Sequence, residues 1–271
     1  MRCSDPSGSA GLGAPTGVHA SGSGYTIRPC RSIEELASTV RIQKEIWGYA
    51  EHELYPLRLL VNLGKIGGHV LGAFTPEGSL VGFVASLPAW HGSRRYYHSL
   101  SLGVLRGHEN LGLGRALKLA QRRAALRAGV DFIEWTFDPL RAKNAYLNIS
   151  RLGAIVRRYL PDYYGPIDSR LQKGLPSDRA LAEWRLKSAR VRRAISGKPA
   201  RSARKKPLAE VPIPTDVGAL LDARPRACGE VRAVQAAVRE QLQKYFAQGL
   251  AITGFVRDRK SARYLLERYE D

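Results

Sequence analysis

The stretch His98-Ser99-Leu100-Ser101-Leu102-Gly103-Val104-Leu105-Arg106-Gly107-His108-Glu109-Asn110-Leu111-Gly112-Leu113-Gly114-Arg115-Ala116-Leu117 decides the fold. Tyr96 to Val104 reads as a strand, and Gly107, Gly112 and Gly114 crowd the turn that follows. Leu113, Leu117, Ala120 and Ala124 then begin a helical stripe that Gly129 closes. A strand that runs through such a turn into a helix presents the first helical N–H groups, unpaired and partly positive. Glycines let that backbone approach a ligand closely, so the turn is predicted to hold an anion, most naturally a pyrophosphate. A tight connection with no ligand is the plainer reading of the same residues. Two familiar phosphate loops are excluded. Arg115-Ala116 stands where a Walker loop needs Lys-Ser/Thr, and Leu117 stands where the dinucleotide fingerprint needs its third glycine.

Working outward, the spacing predicts a strand over 25–28 and a helix opened by a capping box, Ser32 with Glu35, whose apolar stripe is Ile33, Leu36, Ala37, Val40 and Trp47. A shorter helix is expected over 56–63. Strands over 69–74 and 80–87 flank Thr75-Pro76-Glu77-Gly78, which has the chemistry of a hairpin turn. The passage from the strand 96–104 through the helix 114–127 to the strand 130–137 is a parallel crossover. A helix over 141–152, stopped by Gly153, and strands over 154–159 and 182–186 complete the unit. The expected class is therefore α/β, with a mixed, mostly antiparallel sheet and helices on its faces. Beyond it, an extended piece over 211–214, a helix over 225–249 and strands over 251–256 and 262–266 predict a small α+β extension that docks on the first domain. The domain reading is a leader over 1–24, a main domain over 25–187, a basic linker over 188–207 and the extension over 208–271.

The chain has 271 residues, 44% hydrophobic and 25% charged, which is enough to bury a core without disulfide or metal staples. Wholesale disorder, collagen and a disulfide-rich miniprotein are excluded, and no apolar run is long enough to span a membrane. Lys and Arg outnumber Asp and Glu by 43 to 24, a net charge of +19 that attracts polyanions. Ten of the cations fall between Arg185 and Lys206, where no acid occurs. That segment reads either as a solvated loop or as a tether for nucleic acid. No aromatics interleave with it, and no nucleic-acid-binding signature occurs elsewhere. Cys3, Cys30 and Cys228 are distant and odd in number, so neither a disulfide framework nor a metal site is expected, and a reducing cytoplasm fits. The Gly- and Ser-rich residues 1–24 lack the apolar core of a secretory signal and read as a disordered leader.

Over 25–186 the chain resembles the GNAT (Gcn5-related N-acetyltransferase) superfamily. The residues that carry the resemblance are Leu102-Gly103-Val104 at the strand end, Gly112-Leu113-Gly114-Arg115-Ala116-Leu117 in the turn and helix, and Leu152-Gly153-Ala154. Trp135-Thr136-Phe137-Asp138-Pro139 and Asn144-Ala145-Tyr146-Leu147-Asn148, together with the C-terminal extension, are similar to a branch of predicted acetyltransferases. The sequence departs from the family motif at two places: Glu109 replaces its leading Arg or Gln, and Ile149 stands where many relatives carry Tyr.

The resemblance implies a GNAT-type sheet in which two parallel strands splay apart, binding acetyl-CoA or another acyl-CoA. Leu102, Gly103 and Val104 are implied to pair with the pantetheine arm, and a backbone N–H near Val104 to stabilise the oxyanion. Asn110, Gly112, Leu113, Gly114, Arg115 and Asn144 are implied at the cofactor, with Arg115 or Arg106 offsetting Glu109. His98 stands where many relatives place a general base, and an imidazole can serve near neutrality. Either Tyr146 is the substitute acid for the leaving thiolate or no acid is needed, since a CoA thiolate leaves readily. Glu134, Asp138 and Asn148 are implied at the acceptor, a small-molecule primary amine. Each has a plainer reading: His98 packed in the sheet, Tyr146 as a core aromatic, the asparagines as caps, and Asp138 paired with Arg141 or Lys143. The activity implied is N-acyl transfer by direct attack. The alternative is a catalytically weak or inactive protein on the same scaffold that binds CoA or nucleic acid.

Overall fold

Strands joined by tight turns pair with their chain neighbours, and the N-terminal half follows that rule. The computed structural model describes residues 18–19, 24–167, 169, 172–200, 206–223, 228–258 and 261–270. In it β1 (Val18–His19), β2 (Thr26–Pro29), β3 (His69–Phe74), β4 (Leu80–His91) and β5 (Arg94–Val104) form an antiparallel meander. The predicted turn at 75–78 joins β3 to β4. β4 runs past its predicted end to His91 and returns through Gly92-Ser93, with Gly92 at φ 57° as a two-residue hairpin turn favours. The leader reading needs correction at Val18–His19, which pairs with Ile27 and Thr26; the rest of 1–23 lies outside the described residues.

Helices α1 (Ile33–Trp47) and α2 (Leu57–Lys65) cover one face, with Leu36, Ile42, Leu60 and Leu63 packed on Val70, Phe83 and Ala85. Helix α3 (Leu113–Arg127) covers the other, with Leu113 and Leu117 on Leu71, Ala73 and Val84. The alternation of β3 and β4 thus feeds two cores at once. The capping box is formed: the Glu35 N–H donates to Ser32 Oγ at 3.2 Å. Glu35 also accepts from both Arg28 nitrogens, at 3.1 and 2.6 Å, and from the Arg31 N–H. The Arg28 hydrogen bonds pull its pKa down to about 2. A depressed carboxyl contributes stability above its unfolded pKa and loses it as pH falls through the folded value. Glu35→Gln is therefore expected to cost about 1–2 kcal/mol at pH 7, allowing for partial exposure, and to flatten the loss of stability between about pH 4.5 and 2 in chemical denaturation.

Strand β6 (Phe132–Phe137) lies parallel to β5. Then follow α4 (Ala142–Ala145), a π-helical turn over Tyr146–Arg151, β7 (Ile155–Leu160), β8 (Arg179–Arg185), α5 (Ala189–Ile195), β9 (Ala209–Ile213), α6 (Val217–Ala223), α7 (Cys228–Ala247), β10 (Leu250–Arg257) and β11 (Ala262–Arg268). The sheet order is β1-β2-β3-β4-β5-β6-β8-β7-β10-β11-β9, and every described pair except β5 with β6 is antiparallel. The mixed α/β sheet is thus as expected. Residues 209–268 add three strands to it, and Trp184, Ile252, Leu242 and Tyr264 belong to one shared core.

Two expectations are corrected. The helix over 141–152 is only partly α-helical, because the Leu152 N–H reaches back to Leu147 O and the Ala154 N–H to Asn148 O, a widened turn that a 3.6-residue period does not show. The basic segment is not wholly a linker. Ser188 caps α5, and Arg190 is buried with its guanidinium on the carbonyls of Gly153 and Thr253. Part of the charge anomaly is therefore structural; Arg201, Arg204 and Lys205 lie outside the described residues. No helix among the described residues is long and apolar enough to cross a membrane.

Candidate active site

The site begins where β5 and β6 separate. Their parallel pairing lasts for two registers, Tyr97↔Ile133 and His98↔Glu134. Beyond it β5 continues on β4 to Val104, and β6 continues on β8 to Phe137. Leu100 is an extra residue on β5: Ser99 pairs with Ser86 and Ser101 with Ala85. Such a bulge turns a strand away from its line, here away from β6. The facing edges of Leu102–Val104 and β6 are left without each other as partners, so this fork offers backbone N–H and C=O groups to a ligand. Gly103 packs on α1, where a Cβ would lie 2.7 Å from Ile46 Cδ1 and 2.9 Å from Trp47 Cη2.

At the wide end of the fork β5 enters the glycine turn. Gly107, Asn110 and Gly112 have φ of 90°, 62° and 78°, and no atom lies within 4 Å of a Cβ built on Gly107 or Gly112. The first bonded amide of α3 is Ala116 N–H, on Gly112 O. The N–H groups of Leu113, Gly114 and Arg115 have no partner among the described residues, and no side chain caps the helix. Leu113 anchors the turn with a buried side chain. The Arg115 guanidinium donates to Ile195 O at 2.6 Å, so it is the Arg115 amide that faces the turn. Glu109 is balanced by neither Arg106 nor Arg115; its carboxylate lies 3.3 Å from Lys143 Nζ.

At the closed end sit His98 and Glu134. Glu134 is 6% exposed, and its Oε1 is 3.5 Å from His98 Nδ1. Its Oε2 is buried and makes no hydrogen bond among the described residues, but it lies at ion-pair distance from His91 Nε2, 3.7 Å, and Arg158, 3.6 Å. Burial alone would raise the Glu134 pKa. The His98 hydrogen bond and the charges of His98, His91 and Arg158 outweigh it and hold the carboxyl below its ordinary value. An ionised carboxylate so placed can fix the neighbouring imidazole and act as counter-charge to a cation in the fork.

The other predicted residues divide. Tyr146 is 42% exposed and Asn144 is exposed, whereas Asn148 is buried. Leu147 reaches the glycine turn, its Cδ2 3.9 Å from a Cβ built on Gly114. Ile149 is wholly buried. Asp138 is already engaged, accepting from the Leu140 N–H at 2.8 Å and lying 3.3 Å from Arg141 Nε. Sequence reasoning missed His91 and Arg158, which reach Glu134 from distant strands. It also missed Tyr163 and Tyr164, half-exposed before β8, where Tyr164 OH is 2.8 Å from Thr136 Oγ1. Thr136 shares the Glu134 face of β6, so this aromatic pair flanks the fork.

An acyl-CoA fits these residues: unpartnered amides at a helix start suit a diphosphate, and an unpaired strand edge suits an amide-bearing arm. The bulged, forked sheet with a glycine turn at its wide end has the arrangement that the sequence's resemblance to the GNAT superfamily implies. No protein-family model matches the chain, and no curated protein matches it. Among solved structures, it is similar to NAA60 of Arabidopsis thaliana in complex with a bisubstrate analogue, at 18% identity over 59% of this chain and 97% of that one, TM-score 0.48. It is also similar to the ribosomal-protein-S18-alanine N-acetyltransferase of Escherichia coli, at 16% identity over 61% and 96%, TM-score 0.48. A third is yncA of Salmonella typhimurium with its cofactor acetyl-CoA, at 19% identity over 61% and 96%, TM-score 0.48.

Proposed function

We propose that the protein is an acyl-CoA-dependent N-acyltransferase, with acetyl-CoA as donor and the primary amine of a small molecule as acceptor. One observation carries this reading. A single fork has free helix-start amides at its wide end and a buried carboxylate beside a partly exposed imidazole at its closed end. When bound, the thioester supplies an activated carbonyl and a thiolate leaving group. Glu134 supplies the counter-charge to the acceptor ammonium, and His98 removes its proton before attack. The unpaired edge of β5 offers N–H groups to the oxyanion. Tyr146, exposed beside Leu147, is the proton donor to the departing thiolate. Leu113, Gly114 and Arg115 hold the diphosphate through their amides, and Asn110 and Asn144 border it.

Thermal-shift titration with acetyl-CoA, followed by thiol release with a panel of amines, tests this reading. Saturation at a hundred-fold excess over Kd stabilises the fold by about 2.7 kcal/mol. Stabilisation without thiol release from any amine would leave a CoA-binding protein that has lost catalysis, a reading consistent with Ile149 at the family's tyrosine position. Gly114→Val places a branched side chain against Leu102 and Leu147 in the mouth of the fork. It is expected to abolish the acetyl-CoA shift while moving the unliganded Tm by only a few degrees.

A further inference from the structure

Directly beneath the fork lies a group that acyl transfer does not use. Lys118, on the sheet-facing side of α3, is 1% exposed. Its Nζ donates to Ser99 Oγ at 2.9 Å and to Gln121 Oε1 at 3.0 Å, and sits 3.6 Å over the Trp135 ring. No carboxylate lies within ion-pair distance of it among the described residues. Gln121 Nε2 continues the network to Ser99 Oγ at 2.9 Å and Ser86 Oγ at 2.6 Å. Burial drives the Lys118 pKa well below its ordinary value, toward an uncharged amine. A methionine or leucine would fill the same space without the cost of dehydrating an amine.

The positions of its partners give the amine a purpose. Ser99 follows His98 and Trp135 follows Glu134, the last residues at which β5 and β6 pair with each other. The amine therefore occupies the crotch of the fork and touches, on each branch, the first residue beyond the β5–β6 pairing. Two adjacent parallel strands with free N–H and C=O groups tend to pair onward, because each new hydrogen bond satisfies two orphans. The bulge at Leu100 turns β5 aside, and the Lys118 amine stands between Ser99 and the Trp135 ring. Lys118 also lies on the first turns of the helix whose opening amides face the glycine turn. One side chain thus ties the phosphate end of the site to its reacting end.

We propose that Lys118 is a positioning residue that sets the opening of the fork, and so the seating of the acyl-CoA arm relative to His98. The proposal rests on the acyl-CoA reading above. Lys118→Met keeps length and volume and leaves the Gln121–Ser99–Ser86 bonds in place. Calorimetry with CoA is expected to show a Kd raised about ten-fold, the order of one lost buried hydrogen bond. With acetyl-CoA, kcat is expected to fall while the KM of the amine stays within about two-fold, because the acceptor is bound from Glu134 on the opposite face. Ser99→Ala, a milder change, gives the same direction with a smaller effect and serves if the methionine variant does not fold. Quenching of tryptophan emission by CoA, to which Trp135 at the fork contributes among the four tryptophans, is expected to weaken in parallel. A folded Lys118→Met with unchanged Kd, kcat and quenching makes Lys118 a packing residue and overturns the proposal. A wild-type protein that binds no CoA overturns the acyl-CoA reading itself, and the proposal with it.

Discussion

His98→Ala is expected to lower kcat/KM for acyl transfer by about 10²–10⁴-fold, the range a positioned general base supplies. The expectation follows from where the side chain sits. His98 is the last residue of β5 to pair with β6, and its Nδ1 is 3.5 Å from a carboxylate that is almost wholly buried. Glu134→Gln removes the charge and keeps the shape. It is expected to raise the KM of the amine and to lower kcat, since the ammonium loses its counter-charge and the imidazole loses its orienting partner. The two residues act as a unit, so the double variant is expected to be little worse than the worse single one. Steady-state kinetics on the three variants decide the matter. Full activity in His98→Ala assigns this histidine to packing. Strictly multiplicative losses separate the two roles.

Arg239→Ala is expected to be the most damaging single change for stability away from the site. Asp178, just before β8, is completely buried and accepts from Arg239 at 2.9 and 2.7 Å, from Tyr159 OH at 2.6 Å and from the Asp162 N–H at 2.9 Å. Arg239 comes from α7, so this cluster fastens the C-terminal helix to the loop between β7 and β8. Removing the arginine strands a buried charge, which costs about 3–5 kcal/mol. At about 2–4 °C per kcal/mol for a chain of this size, Tm falls by roughly 10 °C. Arg239→Lys keeps the charge but not the two-pronged geometry, and is expected to fall between. Thermal denaturation followed by circular dichroism measures both. A loss under 1 kcal/mol for Arg239→Ala would show that Tyr159 and Asp162 suffice to hold Asp178.

Much of the fold was legible because it is local. The capping box at Ser32 and Glu35, the turn over 75–78 and the glycine turn before α3 each lie within a few residues of chain, and each formed as read. The π-helical turn after α4 was not legible, since its widened hydrogen bonds depend on how Ile149 and Leu152 are buried. Nor was α5, because its composition reads as linker while its stability comes from Val191 and Ala194 packing beside Gly153, and from Arg190 on distant carbonyls.

The site divides in the same way. The sequence by itself determined the strand, the glycine turn and the helix, and with them the free amides of Leu113, Gly114 and Arg115, because these follow from chain geometry and the first helical turn. Only the tertiary structure decided that Glu134 is buried beside His98 while Asp138 is engaged by the Leu140 N–H, and that Lys143 balances Glu109. It alone brought His91 and Arg158 to Glu134 and placed Lys118 in the fork. Those facts depend on strand register and on which helix covers which face. Contacts across the sheet, and the burial that prices every charge, are properties of the packed chain and of no short stretch within it.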